Sequence, residues 1–313
     1  MKLHIIDKND LYEGSRLKEK LFNNIAIFLS AILLLYIIIE GNERIRDTRD
    51  RTEGFKDLKS IELMAIMENE RAKDKSDSNL TSAEEQKDYT KMFPDLYTVY
   101  TVPKPMDKQK KIAYLTFDDG PSDNTFKVLD ILEEMDIKAT FFIVGSSITK
   151  ESEASLKRMV NEGHTIGIHT YSHMCNEIYC SVERYLDDFN IVYQQIYDIT
   201  GERVNIYRFP WGSNNYYSKG IKDALIDEMN RRGFSCYDWN VSADDSVGKP
   251  TPYSIRRNIM KDLKRQNYPI ILMHDSRING LTVRMLPEII KMIQDEGYEF
   301  DTLDHREPYL FPW

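Results

Sequence analysis

The sequence predicts an α/β barrel of parallel strands, preceded by one membrane-spanning helix and a charged stalk. Three observations carry this reading. Between residues 111 and 303, seven short apolar, β-prone runs alternate with amphipathic helical stretches, and such alternation implies a parallel sheet with helical crossovers. No glycine-rich phosphate loop follows the first run, so a nucleotide-binding sheet is disfavoured and a barrel is preferred. Residues 21–39 hold no charged side chain and are just long enough to cross a bilayer as a helix.

Taken in order, residues 1–20 are a short amino-terminal segment, expected on the cytoplasmic side. The span LFNNIAIFLSAILLLYIII shows no polar face over 31–39, unlike a core helix at a protein surface. The IIIEGN that follows is not a small-residue cleavage site, so an uncleaved anchor is expected. Arg16, Lys18 and Lys20 precede the span, and Arg44, Arg46, Arg49 and Arg51 follow it. Basic residues on both sides do not orient it. Residues 40–107 read as a stalk and linker. Phe55, Leu58, Ile61, Leu63, Met64 and Met67 make one helical stripe too short for a coiled coil, and 73–87 have the composition of a flexible linker. Pro103 and Pro105 mark an extended lead-in to a domain at 108–313.

Within that domain, a strand at 112–117 precedes a helix at 124–135 with Phe126, Leu129 and Leu132 on one face. A strand at 139–144 precedes a helix at 151–162, ended by Gly163. A strand at 165–169 leads to a long helix at 182–200, ended by Gly201. A strand at 205–209 precedes a helix at 218–232, ended by Gly233. A strand at 234–241 precedes a helix at 252–266. A strand at 269–273 precedes a helix at 283–296, ended by Gly297, and a strand at 298–303 closes the series.

The chain has 313 residues, 30% of them charged, and a net charge of -9. That balance argues against nucleic acid as a partner, and the sequence names no protein partner. Three cysteines make no disulfide framework; Cys175 and Cys180 are close enough in sequence to pair, a question geometry decides.

Barrels carry their reactive residues at the carboxy-terminal ends of strands, and four groups of reactive side chains fall there. Asp118 and Asp119 end the first strand in IAYLTFDDGP. Adjacent carboxylates at a strand exit are expected to point in different directions, one suited to a metal and the other to a proton. His169 and His173 follow the third strand, and two histidines four apart can face one metal from a single turn or tight loop. The spacing is that of the HExxH zinc arrangement, but no Glu follows the first histidine, so a base must come from Asp118 or Asp119. With Asp119 the histidines make a two-His-one-carboxylate set that leaves a position open for water. Arg208, after the fourth strand, is suited to hold a carboxylate. His274, after the sixth, stands where a proton donor is useful.

These residues identify a resemblance to the polysaccharide deacetylases of the NodB-homology type, carbohydrate esterase family 4, over residues 111–305. TFDDGP at 116–121, HTYSH at 169–173, RFPWG at 208–212 and LMHD at 272–275 match four of the family's motifs in order. A fifth motif, W-x-V-D-x-x-D-W, is altered here to Trp239-Asn-Val-Ser-Ala-Asp-Asp-Ser246: Asp245 falls on its second aspartate, with Asp244 the match if the loop shifts by one, while Ser242 and Ser246 replace its first aspartate and its tryptophan.

The resemblance implies a deformed (β/α)7 barrel and a metal-dependent N-deacetylase. Asp119, His169 and His173 would bind a divalent metal, zinc by default, with cobalt or another ion as alternatives. Asp118 would be the base, oriented and kept ionised by Arg208, since an adjacent cation lowers a carboxylate pKa. His274 would protonate the leaving amine, with Asp245 holding its imidazole. The backbone N–H of Trp211 would face the oxyanion, and Leu272 would line the pocket for the acetyl methyl group. A tethered enzyme of this family that faces outward meets the cell wall, which makes peptidoglycan N-acetylglucosamine the first expectation; the product's free amines reduce cleavage by lysozyme. N-acetylmuramic acid, chitooligosaccharide, an exopolysaccharide and O-acetylated xylan share the chemistry. An inactive membrane-tethered glycan-binding module is the reading from another class. The complete ligand, base and acid set disfavours it.

Overall fold

The computed structural model describes residues 89–100, 103 and 109–312. The candidate span at 21–39, the segment before it and nearly all of the stalk lie outside them. Among the described residues no helix is long and apolar enough to cross a membrane.

The elements run β1 (Ile112–Gly120), α1 (Asp123–Glu134), β2 (Thr140–Ile143), α2 (Glu153–Asn161), β3 (Thr165–Ile168), α3 (Cys175–Ile178), α4 (Val182–Thr200), β4 (Ile206–Tyr207), α5 (Lys222–Arg231), β5 (Ser235–Cys236), β6 (Val241–Ser242), α6 (Pro252–Leu263), β7 (Ile270–His274), α7 (Gly280–Asp295) and β8 (Glu299–Phe300). Every ladder is parallel, in the order β5-β4-β3-β2-β1-β7-β6, with β8 paired to the start of β1.

β5 and β6 stand at the two ends of this order, yet only residues 237–240 join them. Five steps of chain span at most about 18 Å, so the sheet curls until its edges approach. No ladder closes the seam, and the result is a curled, open half-barrel. The single strand expected at 234–241 is therefore two short ones. Asp238 breaks the run: its carboxylate accepts hydrogen bonds from Ser213 N (2.8 Å), Phe311 N (2.7 Å) and the Ser213 hydroxyl, while its own N–H donates to Tyr309 O at 2.7 Å. A residue bonded to the returning carboxy-terminal segment cannot continue a ladder along the barrel.

β1 is buried along nearly its whole length because helices cover one face and the barrel interior the other. Phe117 stacks on Phe141 of β2 at 5.2 Å, with Leu129, Leu132 and Ile290 in the same core. Helix starts follow the capping residues: Ser122 and Thr251 form capping boxes with Thr125 and Ser254, and Ser181 caps α4. The unforeseen turn α3 carries Cys175, buried, while Cys180 is exposed with its thiol on Asn176 O at 2.8 Å; all three cysteines are free.

A buried guanidinium clasps the lead-in segment to the domain. The guanidinium of Arg232, fully buried, is braced by Glu228 at 2.7 Å and donates to the carbonyls of Tyr89 (2.9 Å), Met92 (2.8 Å), Phe93 (3.1 Å) and Leu96 (3.1 Å). Gly233 sits beside it with φ 87°, and a Cβ there would lie 2.2 Å from Thr98 O.

A second buried group sets an acid response. His164 accepts Ala139 N–H at 3.1 Å and lies 3.5 Å from Glu162. Burial, then Lys138, pushes its pKa down from 6.5 to about 4 against the pull of Glu162. Between those values the unfolded chain holds the proton that the folded chain refuses, so this histidine costs stability as pH falls from about 6.5 to about 4. Urea midpoints are expected to drop over that window. The gap between the parent and His164→Gln is expected to narrow as pH falls, because only the parent carries this penalty.

Candidate active site

The site is assembled at the carboxy-terminal ends of β1, β3, β4 and β7. Register puts Asp118 opposite His274 on β7 and Phe142 on β2. The ladder then slips, so that Gly120, not Asp119, pairs with Ile143. Asp119 is the extra residue of a bulge and has φ 70°. The bulge overturns the expectation that the two carboxylates diverge. His169 Nε2 lies 3.7 Å from Asp118 Oδ2 and 3.6 Å from Asp119 Oδ1, so both face one imidazole.

His169 Nδ1 lies 2.9 Å from the Arg208 carbonyl, which can only accept. The ring proton is therefore on Nδ1, and Nε2 presents a lone pair. Burial, then the neighbouring His173, pushes the His169 pKa down to about 3 against Asp119, so the ring is neutral at ordinary pH. His173 Nε2 is 3.3 Å from Asp119 Oδ1. Its loop is bent by left-handed φ at Thr170 and His173 and is fixed by Asp188, whose carboxylate takes the N–H groups of Tyr171 and Ser172.

Ligand atoms of Asp119, His169 and His173 all lie within 4.8 Å of one another. Asp119 Oδ1 is buried with no hydrogen-bond partner among the described residues, and a buried carboxylate oxygen left bare needs a counter-charge. Two imidazoles and one carboxylate suit a divalent ion such as zinc.

Arg208 is fully buried. It donates to Asp118 Oδ1 and Thr116 Oγ1, both at 2.8 Å, and to the carbonyls of Tyr237 (2.7 Å) and Asp238 (3.2 Å), with Phe142 4.1 Å below. The expected lowering of the Asp118 pKa is not the net result. Burial pushes the carboxyl above its ordinary value, and Arg208 and then His274 only partly pull it back. A divalent cation at Asp119 would pull the same way as Arg208.

His274 Nδ1 meets Asp245 Oδ1 at 2.8 Å, and its N–H donates to Asp245 Oδ2 at 2.9 Å. Burial alone would lower the imidazole. The Asp245 hydrogen bond and charge outweigh it and lift the pKa to about 9. Asp245, not Asp244, is thus the residue on His274; Asp244 bonds Ser242 and Asn258. Ser246, in the place of the motif tryptophan, accepts from Asn279 at 2.9 Å and ties its loop to the start of α7. Leu272 is buried on β7 opposite Thr116. Trp211 has φ 64°, and its ring lies 4.6 Å from that of His173.

Three further residues of the site were given no role by the sequence: Thr116 and Asp275 lie inside the motifs at 116–121 and 272–275, and Thr282 lies outside every motif. The Thr116 hydroxyl donates a hydrogen bond to Ile271 O at 2.8 Å and accepts one from Arg208. Thr282 donates to Asp245 at 2.6 Å. Asp275 packs its carboxylate under Gly120, where a Cβ would come within 2.6 Å, and takes the Thr125 hydroxyl. Burial lifts its pKa to about 7. Only the fold brings Thr282 to Asp245 and Asp275 to Gly120.

The polysaccharide deacetylase family matches residues 106–230. A peptidoglycan-N-acetylglucosamine deacetylase of Bacillus cereus is 32% identical over 208 residues, 65% of this chain and 72% of that protein. The peptidoglycan-N-acetylmuramic acid deacetylase PdaA of Bacillus subtilis is 30% identical over 206 residues, 63% and 71% of the two chains. The solved catalytic domain of a peptidoglycan N-acetylglucosamine deacetylase from Eubacterium rectale superposes with a TM-score of 0.60 at 33% identity, covering 68% of this chain and 96% of that one.

Proposed function

The chain belongs to the polysaccharide deacetylase family, whose members hydrolyse N-acetyl groups, and from that premise we propose that it deacetylates N-acetylglucosamine of peptidoglycan, outside the membrane that residues 21–39 would span. Residues 40–107 would be the stalk and 108–313 the catalytic domain. The observation that carries the chemistry is the meeting of Asp118, Asp119, His169, His173 and His274 at the carboxy-terminal ends of the strands of the curled sheet. The name and fold of the Bacillus cereus and Eubacterium rectale relatives support the choice of sugar.

Asp119, His169 and His173 would hold a divalent cation, zinc foremost, which supplies Lewis acidity toward the acetamide oxygen and toward water. Asp118 takes the proton of the attacking water. Its raised pKa makes it a stronger base than a surface carboxylate, and Arg208 fixes the oxygen that is not used. The new C–O bond forms as the carbonyl oxygen gains charge, and the backbone N–H of Trp211 stabilises that oxygen. His274, protonated at neutral pH, gives its proton to the sugar nitrogen as the C–N bond breaks, leaving acetate and a free amine. Asp245 keeps the imidazole oriented and charged. Leu272 lines the pocket for the methyl group.

The test uses the full chain, N-acetylglucosamine oligomers and purified peptidoglycan. A chelator is expected to abolish acetate release, and added zinc or cobalt to restore it. His173→Ala is expected to weaken zinc affinity by at least about 100-fold, since it removes one of three protein ligands. Absence of acetate from both substrates, with zinc bound and the fold intact, would overturn the reading.

A further inference from the structure

The loop after β4 is built inside out for a solvent-facing turn. Its polar side chains point inward: Ser213 is bonded to Asp238, Asn215 donates to the carbonyls of Gly212 (2.8 Å) and Pro210 (3.3 Å), and Asn215 Oδ1 accepts Ser218 N–H at 2.9 Å. Tyr179 adds a hydrogen bond to Pro210 O at 2.9 Å. Its aromatic side chains face outward: Trp211 is 54% exposed, Tyr216 65% and Tyr217 38%. The rings form a file. Trp211 lies against His173 at 4.6 Å, Tyr217 follows Trp211 at 6.5 Å, and Tyr216 meets Tyr217 edge-on at 5.9 Å. A run of large apolar rings held open to water by buried hydrogen bonds marks a binding surface.

We propose that Trp211, Tyr217 and Tyr216 form a stacking platform for the sugars of a glycan chain next to the one being deacetylated. The inference rests on the deacetylase reading and extends it from the reacting sugar to its neighbours. Continuity argues for the occupant: the file begins at a ring packed on a metal-ligand candidate, so it lies within reach of a glycan whose acetyl group is held at His173. A pyranose ring offers an apolar C–H face that packs on aromatic faces, while its equatorial hydroxyls stay in water. The loop is bonded in place beforehand, so little ordering is lost when a chain binds. The platform therefore selects polymers and oligomers over single sugars.

The experiment compares the N-acetylglucosamine pentamer with the disaccharide, using zinc-loaded full chain. Tyr216→Ala and Tyr217→Ala are expected to lower kcat/KM on the pentamer about tenfold each, the scale of one lost ring contact, and on the disaccharide by no more than about twofold. The Phe variants are expected to keep the pentamer rate, because stacking uses the ring and not the hydroxyl. Tyr253→Ala, an exposed tyrosine on α6, serves as a surface control. Pentamer binding is read separately, by titration calorimetry. Equal losses on both substrates, or no loss on either, would overturn the platform. Pentamer binding that weakens in the Ala variants, with no acetate released by the parent, would leave the platform standing and overturn the deacetylase reading instead.

Discussion

Asp118→Asn is expected to lower acetate release by at least about 1,000-fold while leaving zinc affinity within about threefold of the parent. General-base removal costs on the order of 100- to 10,000-fold, and the upper half applies here because the site offers no substitute. Asp119 is the other carboxylate in reach of His169, but its oxygen is part of the candidate metal-ligand cluster. Asp275 is also buried, with its carboxylate turned to Thr125 and Gly120. The amide keeps one oxygen for the Arg208 guanidinium, so the fold should survive. A variant that retained a tenth of the parent rate, with the same metal content, would mean that another group takes the proton.

Arg208→Met is expected to destabilise the domain by about 3–5 kcal/mol, the cost of removing one partner from a buried ion pair. In a domain of this size that corresponds to a fall in melting temperature of roughly 10 °C. The loss is larger than that of a surface pair because four acceptors lose their donor together: Asp118, Thr116 and the carbonyls of Tyr237 and Asp238. Arg208→Lys tests the geometry. An ammonium can stay beside Asp118, but it cannot also reach both carbonyls across the seam between β5 and β6. It is expected to recover less than half of the lost stability. Thermal scans of the parent and both variants with metal present measure this; a melting temperature for Arg208→Met within about 3 °C of the parent would show that the guanidinium is not structural.

The buried strand, the helix ends and the motifs at strand ends were legible because each is written in neighbouring residues: five apolar positions and one threonine before Asp118, Gly201 directly after Thr200, His169 four before His173. What escaped depends on residues that meet only after folding. Asp238 looks like part of a strand until Ser213 and Phe311 arrive from opposite directions. The turn of Asp119 toward His169 needs a bulge that no spacing announces. Arg208 was read by its charge alone, whereas the fate of Asp118 is decided first by how completely the barrel buries it. Asp245 was the sequence's own choice over Asp244, and the hydrogen bonds from Thr282 and the backbone of His274 agree with it.

The Arg232 clasp has a mechanical meaning. Tension pulled along the chain from before Tyr89 arrives at four carbonyls gripped by one guanidinium before it can reach β1, which begins at Ile112. The bonds are loaded side by side, so they share the strain, and Glu228 and α5 pass it into the body of the domain. The strand that carries Asp118 and Asp119 begins beyond that grip. The clasp would then act as strain relief for the strand that carries the reacting groups.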